Sequence, residues 1–320
     1  MKVETIEKIN QLSKENSAFV AIISYDCPDN DIICPIEKTQ EQGIFFKYYD
    51  KYTKRTDIPK HAYNLTPVDF EIYKKAFDKV QNYIQKGDID LINLCFKTNI
   101  ETNLSLEQIY EYSNAPLVVM LRNKFVCFTP EIFVNIEGNR ISTFPMKGTI
   151  SANIPNAKEI LLNDQKEHKE QVMICELMKN ELARVSTNIN VDRFRYFTHV
   201  ENKNGNIWQT SSEISGILKP KYENKLGSIL ENLLPAGSIS GMPKENSTKI
   251  AAEVESSKRE YYTGVFIHFD GKICKSYVLI RFVGLDQNKN LYYFSGGGIT
   301  KESEVKKEYE ELKQKVYFTF

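Results

Sequence analysis

An α+β arrangement of antiparallel sheets flanked by helices is what this sequence predicts, and three observations lead there. Phe133-Val134-Asn135-Ile136 and Arg140-Ile141-Ser142-Thr143-Phe144 alternate in character around Glu137-Gly138-Asn139, which reads as a hairpin. Strand-like and helix-like stretches come in blocks, without the strict alternation of a doubly wound sheet. The 320 residues, 41% hydrophobic and 26% charged, can fill the core of one large domain or two ordinary ones.

In chain order, residues 1–17 read as a polar helix, 18–26 as a buried strand and 43–49 as a second strand. Cys27-Pro28-Asp29-Asn30-Asp31 between the strands is turn chemistry. Residues 51–60 form a charged loop, with no low-complexity linker to mark a boundary. Thr66 is the predicted N-cap of a helix with Pro67 at its first position. Phe70, Tyr73, Ala76, Phe77, Val80 and Ile84 fall on one face of that helix, and Gly87-Asp88 ends it. Residues 89–98 read as a strand, 106–113 as a short helix, and 117–121 and 125–129 as strands.

Beyond the hairpin, 157–185 is the longest helical pattern, 194–208 a polar strand or loop, and 225–233 a helix. The small-residue loop 237–241 opens into a helix over 243–258. Strands follow at 264–269, 275–282 and 291–294, then Gly296-Gly297-Gly298 and a last helix over 303–316. No internal repeat is present.

The 42 basic and 42 acidic residues balance, which argues against nucleic acid as an obligate partner. Six cysteines show no CxxC pair and no zinc spacing, and four lie in apolar runs, so buried reduced thiols are expected. The N-terminus has no apolar leader and no run approaches a membrane span, so a cytoplasmic protein with no membrane partner is expected.

The residues that carry chemistry gather around Pro145-Met146-Lys147-Gly148-Thr149. Here a lysine sits at a predicted strand end, and Gly148 lets the backbone approach a neighbour. Such a lysine is a nucleophile if burial or a nearby cation lowers its pKa, and otherwise a solvated loop residue. Glu167 and Glu170 project from the same helical stripe as Ile174, Leu177 and Met178, where two desolvated carboxylates call for a cation. Glu308 and Glu311 repeat the spacing beside Leu312 and Val316. Facing each other, the two pairs would form an oxygen-only site suited to Mg²⁺; separately, each is an exposed helix face. His168 is expected to be exposed. Gly296-Gly297-Gly298 could form an anion-binding nest, and Pro235 to Lys244 has similar character without P-loop spacing. Arg281, read as lying in an apolar strand, requires either an anionic ligand or a structural salt bridge.

Taken together, these motifs resemble those of the chorismate-utilising enzymes, from about Tyr73 to the C-terminus. Gly87-Asp88-Ile89 with Asn93-Leu94 is similar to GDIxxxNL, and Thr129-Pro130-Glu131 to SPE. The stretch from Asp164 to Glu170, with Asn180 to Val185, is similar to DxKExxEH…NDLxRV, and Pro235 to Lys244 to PAGSxSGAPK. Ile280-Arg281, the three glycines and Glu308-Tyr309-Glu310-Glu311 complete the ordered set. The sequence departs from the family at Ile150-Ser151-Ala152, where RPR is usual, and at Gln171, Glu176 and Glu181.

The resemblance implies a single large domain like that of anthranilate synthase component I. Residues 66–320 would form the chorismate-binding domain, and 1–65 a shortened strand-rich segment packed on it. It also implies that Glu170 and Glu311 ligate Mg²⁺, with Glu167 and Glu308 supporting them. Lys147, Glu167 and Lys244 would act in catalysis. Gly148, Thr149, Gln209, Ser240, Gly241, Tyr262, Arg281, Gly296, Gly297 and Gly298 would surround chorismate. Lys147 resembles the aminodeoxychorismate-forming branch, whose lysine is thought to attack C2 of chorismate as the C4 hydroxyl leaves. Gln209 stands where anthranilate-forming relatives carry a histidine linked to pyruvate elimination. Ammonia, supplied by a separate glutamine amidotransferase subunit, is the implied co-substrate in para-aminobenzoate and folate synthesis.

Overall fold

In the computed structural model, which describes residues 1–49, 58–200 and 205–320, two antiparallel sheets stack face to face with helices on both outer surfaces. The first sheet runs in the order Met146–Ser151, Ile207–Leu218, Arg140–Thr143, Ile132–Glu137, Ile273–Val278, Val265–Phe269, Phe19–Ile23, Ile32–Pro35, with Ser186–Val200 added on Ile207–Leu218. The second runs Gly241–Met242, Leu91–Glu101, Leu291–Ile299, Phe282–Leu285, Phe125–Thr129, Leu117–Leu121, Ile44–Tyr48, with Asn64–Thr66 on Leu91–Glu101.

Side-chain alternation explains the layering. In Phe19–Ile23, Phe19, Ala21 and Ile23 face the Val3–Lys14, Gln165–Ala183 and Leu226–Leu233 helices, while Val20 and Ile22 face the second sheet. Leu117, Val119 and Leu121 meet them there, and Val118 and Met120 point outward to the Leu106–Tyr112 helix and the C-terminal residues. Both faces of such strands are covered, so all five residues are buried and the sequence reads as a continuous apolar run. The outer face of Leu91–Glu101 is closed by Phe70–Lys86, Lys244–Val254 and Val305–Gln314 through Tyr73, Phe77, Val80, Ile250 and Leu312.

Most predicted elements stand, and the exceptions have local causes. The helix predicted from Thr66 begins at Phe70, because Asn64–Thr66 is paired into the second sheet and the Asp69 carboxylate caps the Glu71 amide at 2.8 Å. Gly87 ends it with φ of 79°. The pattern over 157–185 divides into Ala157–Asn163 and Gln165–Ala183, since Asp164 is extended and accepts from the Glu167 amide at 3.0 Å. The region 194–208 belongs to a long hairpin of Ser186–Val200 with Ile207–Leu218, whose residues 201–204 lie outside the described residues, as do residues 51–57 of the predicted loop. The loop at 237–241 is a single turn, Gly237–Ser240, leading into the two-residue strand Gly241–Met242. Ile32–Pro35, preceded by the expected turn, is a strand the sequence did not announce.

Three corrections bear on the site. Met146–Ser151 is itself a strand, so the lysine lies within a ladder and not at its end. Arg281 lies in no strand; it has φ of 55° where the chain crosses from Ile273–Val278 in one sheet to Phe282–Leu285 in the other. The three glycines are extended residues inside Leu291–Ile299, not a nest. All six cysteines are free, and five are buried. Among the described residues no helix is long and apolar enough to cross a membrane.

Candidate active site

A cavity of about 1100 Å³ opens between the edges of the two sheets, lined by Lys147, Thr149, Gln209, Gly241, Tyr262, Arg281, Gly296 and Gly298 among others. Elements far apart in sequence are needed to build it, because each sheet contributes one wall.

The Met146–Ser151 strand pairs with Ile207–Leu218, Lys147 opposite Thr210 and Thr149 opposite Gln209, with a bulge at Gly148. Gly148 has φ of 77°, and a Cβ there would stand 3.0 Å from Glu167 Oε2. The neighbour that the glycine admits is therefore the first turn of the Gln165–Ala183 helix. Thr210 Oγ1 donates to the Lys147 carbonyl. Fully buried Gln171 donates to the Pro145 carbonyl at 3.3 Å and to Ser212 Oγ at 2.9 Å, which fixes the entry to the strand. Lys147, whose side chain is 41% exposed, places Nζ 3.5 Å from Glu170 Oε2.

Glu167 and Glu170 are partly covered, while His168 between them is exposed with its ring edge on Phe194. Burial, then the Glu170 charge, holds the Glu167 carboxyl above the ordinary carboxylate range. On the Val305–Gln314 helix, burial also raises Glu308, with Glu311 adding to it and Ser303 opposing. Burial would raise Glu311 too, but the positive charges of Lys315, Lys147 and Lys166 outweigh it and bring its pKa down. Lys147 and Lys166, which both pair with Glu170, thus also bear on Glu311. Carboxylate oxygens of this kind are the donor type that suits Mg²⁺. Among the described residues no three carboxylates form a ready cage; Lys147 and Lys315 sit against Glu170 and Glu311.

Arg281 is half-buried, with Nε donating to Tyr317 Oη at 3.0 Å, and among the described residues no carboxylate forms a salt bridge with it. The structural salt bridge left open by the sequence is absent among the described residues, and the guanidinium has donors to spare where it meets the cavity. Gly296 and Gly298 pair with Cys95 and Asn93, whose N–H and C=O point away toward Glu255 and Arg259. These are non-hydrogen-bonded pairs, so the glycine N–H groups face the open edge of the strand, where the cavity lies. Lys315 Nζ confirms that direction, donating to the Gly296 carbonyl at 2.8 Å.

Two further residues belong to the cavity wall. Glu131, from the TPE motif, accepts from Ser238 Oγ. Its carboxyl is pushed up by burial, against opposing pulls from that hydrogen bond, Arg281, Lys147 and Lys315. Lys315 was indistinguishable in sequence from any basic residue of a surface helix; the signal for Glu131 was its place in the motif.

Other sequence-selected residues lie behind the wall. Lys244 Nζ is paired with Glu181 and donates to the Leu233 carbonyl at 2.8 Å, with only 10% of its side chain exposed. Burial lowers its pKa and Glu181 opposes this. Ser240 Oγ donates to the Ala236 carbonyl at 3.0 Å, which holds the turn. Gly297 faces the Glu308 side, where a Cβ would be 3.5 Å from Oε2. Tyr262 stacks on Phe294 at 4.6 Å between centroids, its edge to the cavity.

Against known proteins, residues 5–320 match the family model described as chorismate binding enzyme. An uncharacterized PabA-like protein from Haemophilus influenzae is 45% identical, covering 98% of this chain and 95% of its own. An aminodeoxychorismate synthase component 1 from Salmonella typhimurium is 30% identical over 76% of this chain and 56% of that protein. An anthranilate synthase component 1 from Aquifex aeolicus is 28% identical, over 91% and 60%. In fold, the chain is similar to MenF, the menaquinone-specific isochorismate synthase from Escherichia coli, with a TM-score of 0.72, 14% identity and coverage of 97% and 79%.

Proposed function

We propose, since the chain belongs to the chorismate binding enzyme family, that it converts chorismate and ammonia to 4-amino-4-deoxychorismate. The observation that carries this reading is the placement of Lys147, an amine on a bulged strand, in the same cavity as the carboxylate-free Arg281. A ring with two carboxylates satisfies the spare donors of Arg281 and the amides of Gly296 and Gly298. The amine is then presented to the ring.

In the proposed sequence, the Lys147 Nζ lone pair forms a bond to C2 as both ring double bonds shift, C1=C2 to C1=C6 and C5=C6 to C4=C5, and the C4–O bond breaks. Glu131 supplies the proton that lets the hydroxyl leave as water, a role suited to a carboxyl kept protonated by burial. Ammonia bonds to C4, both double bonds shift back, and the C2–N bond breaks with its electron pair going to Lys147 Nζ. One hydroxyl has been exchanged for one amino group, and the enolpyruvyl ether survives. Glu167, Glu170, Glu308 and Glu311 would hold Mg²⁺, which supplies charge neutralisation for a substrate carboxylate. Gln209 faces the cavity from opposite Thr149, and its neutral amide offers no acid for expelling pyruvate. A separate glutamine amidotransferase subunit would provide the ammonia.

The test incubates the protein with chorismate, Mg²⁺ and ammonium and resolves products by mass. A product with NH₂ in place of OH and the enolpyruvyl group retained is expected. An aromatic amine lacking pyruvate would make it an anthranilate-forming enzyme, and an isomer of chorismate an isochorismate-forming one. Binding without turnover would make it a chorismate-binding subunit.

A further inference from the structure

We infer that Arg259, buried behind the cavity and outside every motif discussed above, is a positioning residue for the site, acting with Glu255. Arg259 is 1% exposed and Glu255 5% exposed at the side chain. Its Nε and one terminal nitrogen bond the two Glu255 oxygens at 2.9 and 2.5 Å. The remaining bonds go to three segments that build the cavity wall. They reach the Asn93 carbonyl at 2.6 Å, the Ile239 carbonyl at 3.1 Å, and Thr263 Oγ1, beside Tyr262, at 3.4 Å.

The pair takes the place of a strand. Leu91–Glu101 is flanked on one edge by Gly241–Met242 at Leu91 and Ile92 and by Asn64–Thr66 from Asn99 onward. Between them, the Asn93 C=O is met by Arg259 and the Cys95 N–H by Glu255 at 3.0 Å. These two contacts satisfy one acceptor and one donor on this edge and agree with the register that turns Gly296 and Gly298 toward the cavity. From the same guanidinium, the bond to Ile239 holds the turn whose Ser238 donates to Glu131. A lysine could keep the charge but satisfy fewer of these acceptors at once, because only the guanidinium fork reaches in three directions.

Arg259 therefore acts through Ser238 on Glu131, whose charged neighbours are Arg281, Lys147 and Lys315. The inference rests on the proposed role of Glu131 but not on which chorismate product forms. The experiment is a double-mutant cycle with Arg259→Lys and Ser238→Ala, read as kcat for whatever chorismate conversion the wild type shows. Each single variant is expected to lose about tenfold in kcat, and the double variant little more than either, with the pH dependence of kcat displaced alike in all three. Glu255→Gln, which keeps the shape of the ion pair, repeats the cycle if Arg259→Lys fails to fold. Losses that multiply, or an Arg259→Lys variant with a lower Tm but wild-type kcat and pH profile, would overturn the inference. A wrong product in the wild type would overturn the proposed reaction and leave this cycle readable.

Discussion

Lys147 Nζ stands 3.5 Å from the Glu170 carboxylate, so the candidate nucleophile and a candidate metal ligand are each other's counter-ion. While its nitrogen is held by that carboxylate the lysine cannot attack carbon, so it must first part from Glu170. A cation held by Glu170 would weaken that pairing, which ties the nucleophile to metal binding through one contact. Gly148 beside it is needed for a separate reason, since its φ is 77° and a side chain there would meet Glu167, Leu161 and Thr210.

Lys147→Ala should abolish a covalent adduct formed with chorismate and Mg²⁺ in the absence of ammonia, as read by intact mass and peptide mapping. Residual amination is expected, because the groups that bind chorismate remain and ammonia can attack directly. An adduct on another lysine, or undiminished turnover in the variant, removes Lys147 from the chemistry.

For Arg281, the absence of a carboxylate partner among the described residues separates binding from folding. Arg281→Lys should lower kcat/KM by roughly 10- to 100-fold, the range of one charge-assisted bidentate contact, with Tm almost unchanged. A strongly destabilised variant with normal kinetics would show that its donors serve the fold, through Tyr317, instead of chorismate.

The strands and helices were legible because their periodicities are local. Leu117–Leu121 and Phe125–Thr129 have the bounds the sequence suggested, since an apolar run between turn residues leaves few alternatives. Long-range facts were not legible. Gly296 to Gly298 look like a nest until Asn93 and Cys95 are paired with them, about 200 residues away in the chain. Lys244 looks like a pocket lysine until Glu181 claims it from a helix that the intervening sequence does not mention. Glu131 and Lys315 needed both sheets in place before their convergence on one cavity could be seen.

Mg²⁺ should raise the Tm of the wild-type protein, by an amount corresponding to about 2.7 kcal/mol at a hundredfold excess over Kd, if it binds only the folded state. Glu170→Gln and Glu308→Gln should each remove most of that shift in a thermal melt while preserving the fold. Equal Mg²⁺ stabilisation in both variants would place the cation elsewhere.

The sharpest expectation concerns Glu131. Its carboxyl is raised by burial, so in the folded protein it keeps its proton to a higher pH than an exposed glutamate. If that proton goes to the departing hydroxyl, the Glu131 contribution to kcat is full below the elevated value and is lost as pH rises through it, a descending limb that belongs to Glu131. Glu131→Gln keeps the shape and can still accept from Ser238, but has no acidic proton; kcat should fall by about 10² to 10⁴, the usual worth of a positioned acid. The descending limb should vanish with it. Folding gives an independent check with the same sign. A carboxyl whose folded pKa exceeds its unfolded value destabilises the native state increasingly as pH rises between the two, so Glu131→Gln should gain stability relative to wild type at neutral pH and not at acid pH. A variant that loses activity but keeps the descending limb would assign the proton transfer to another group.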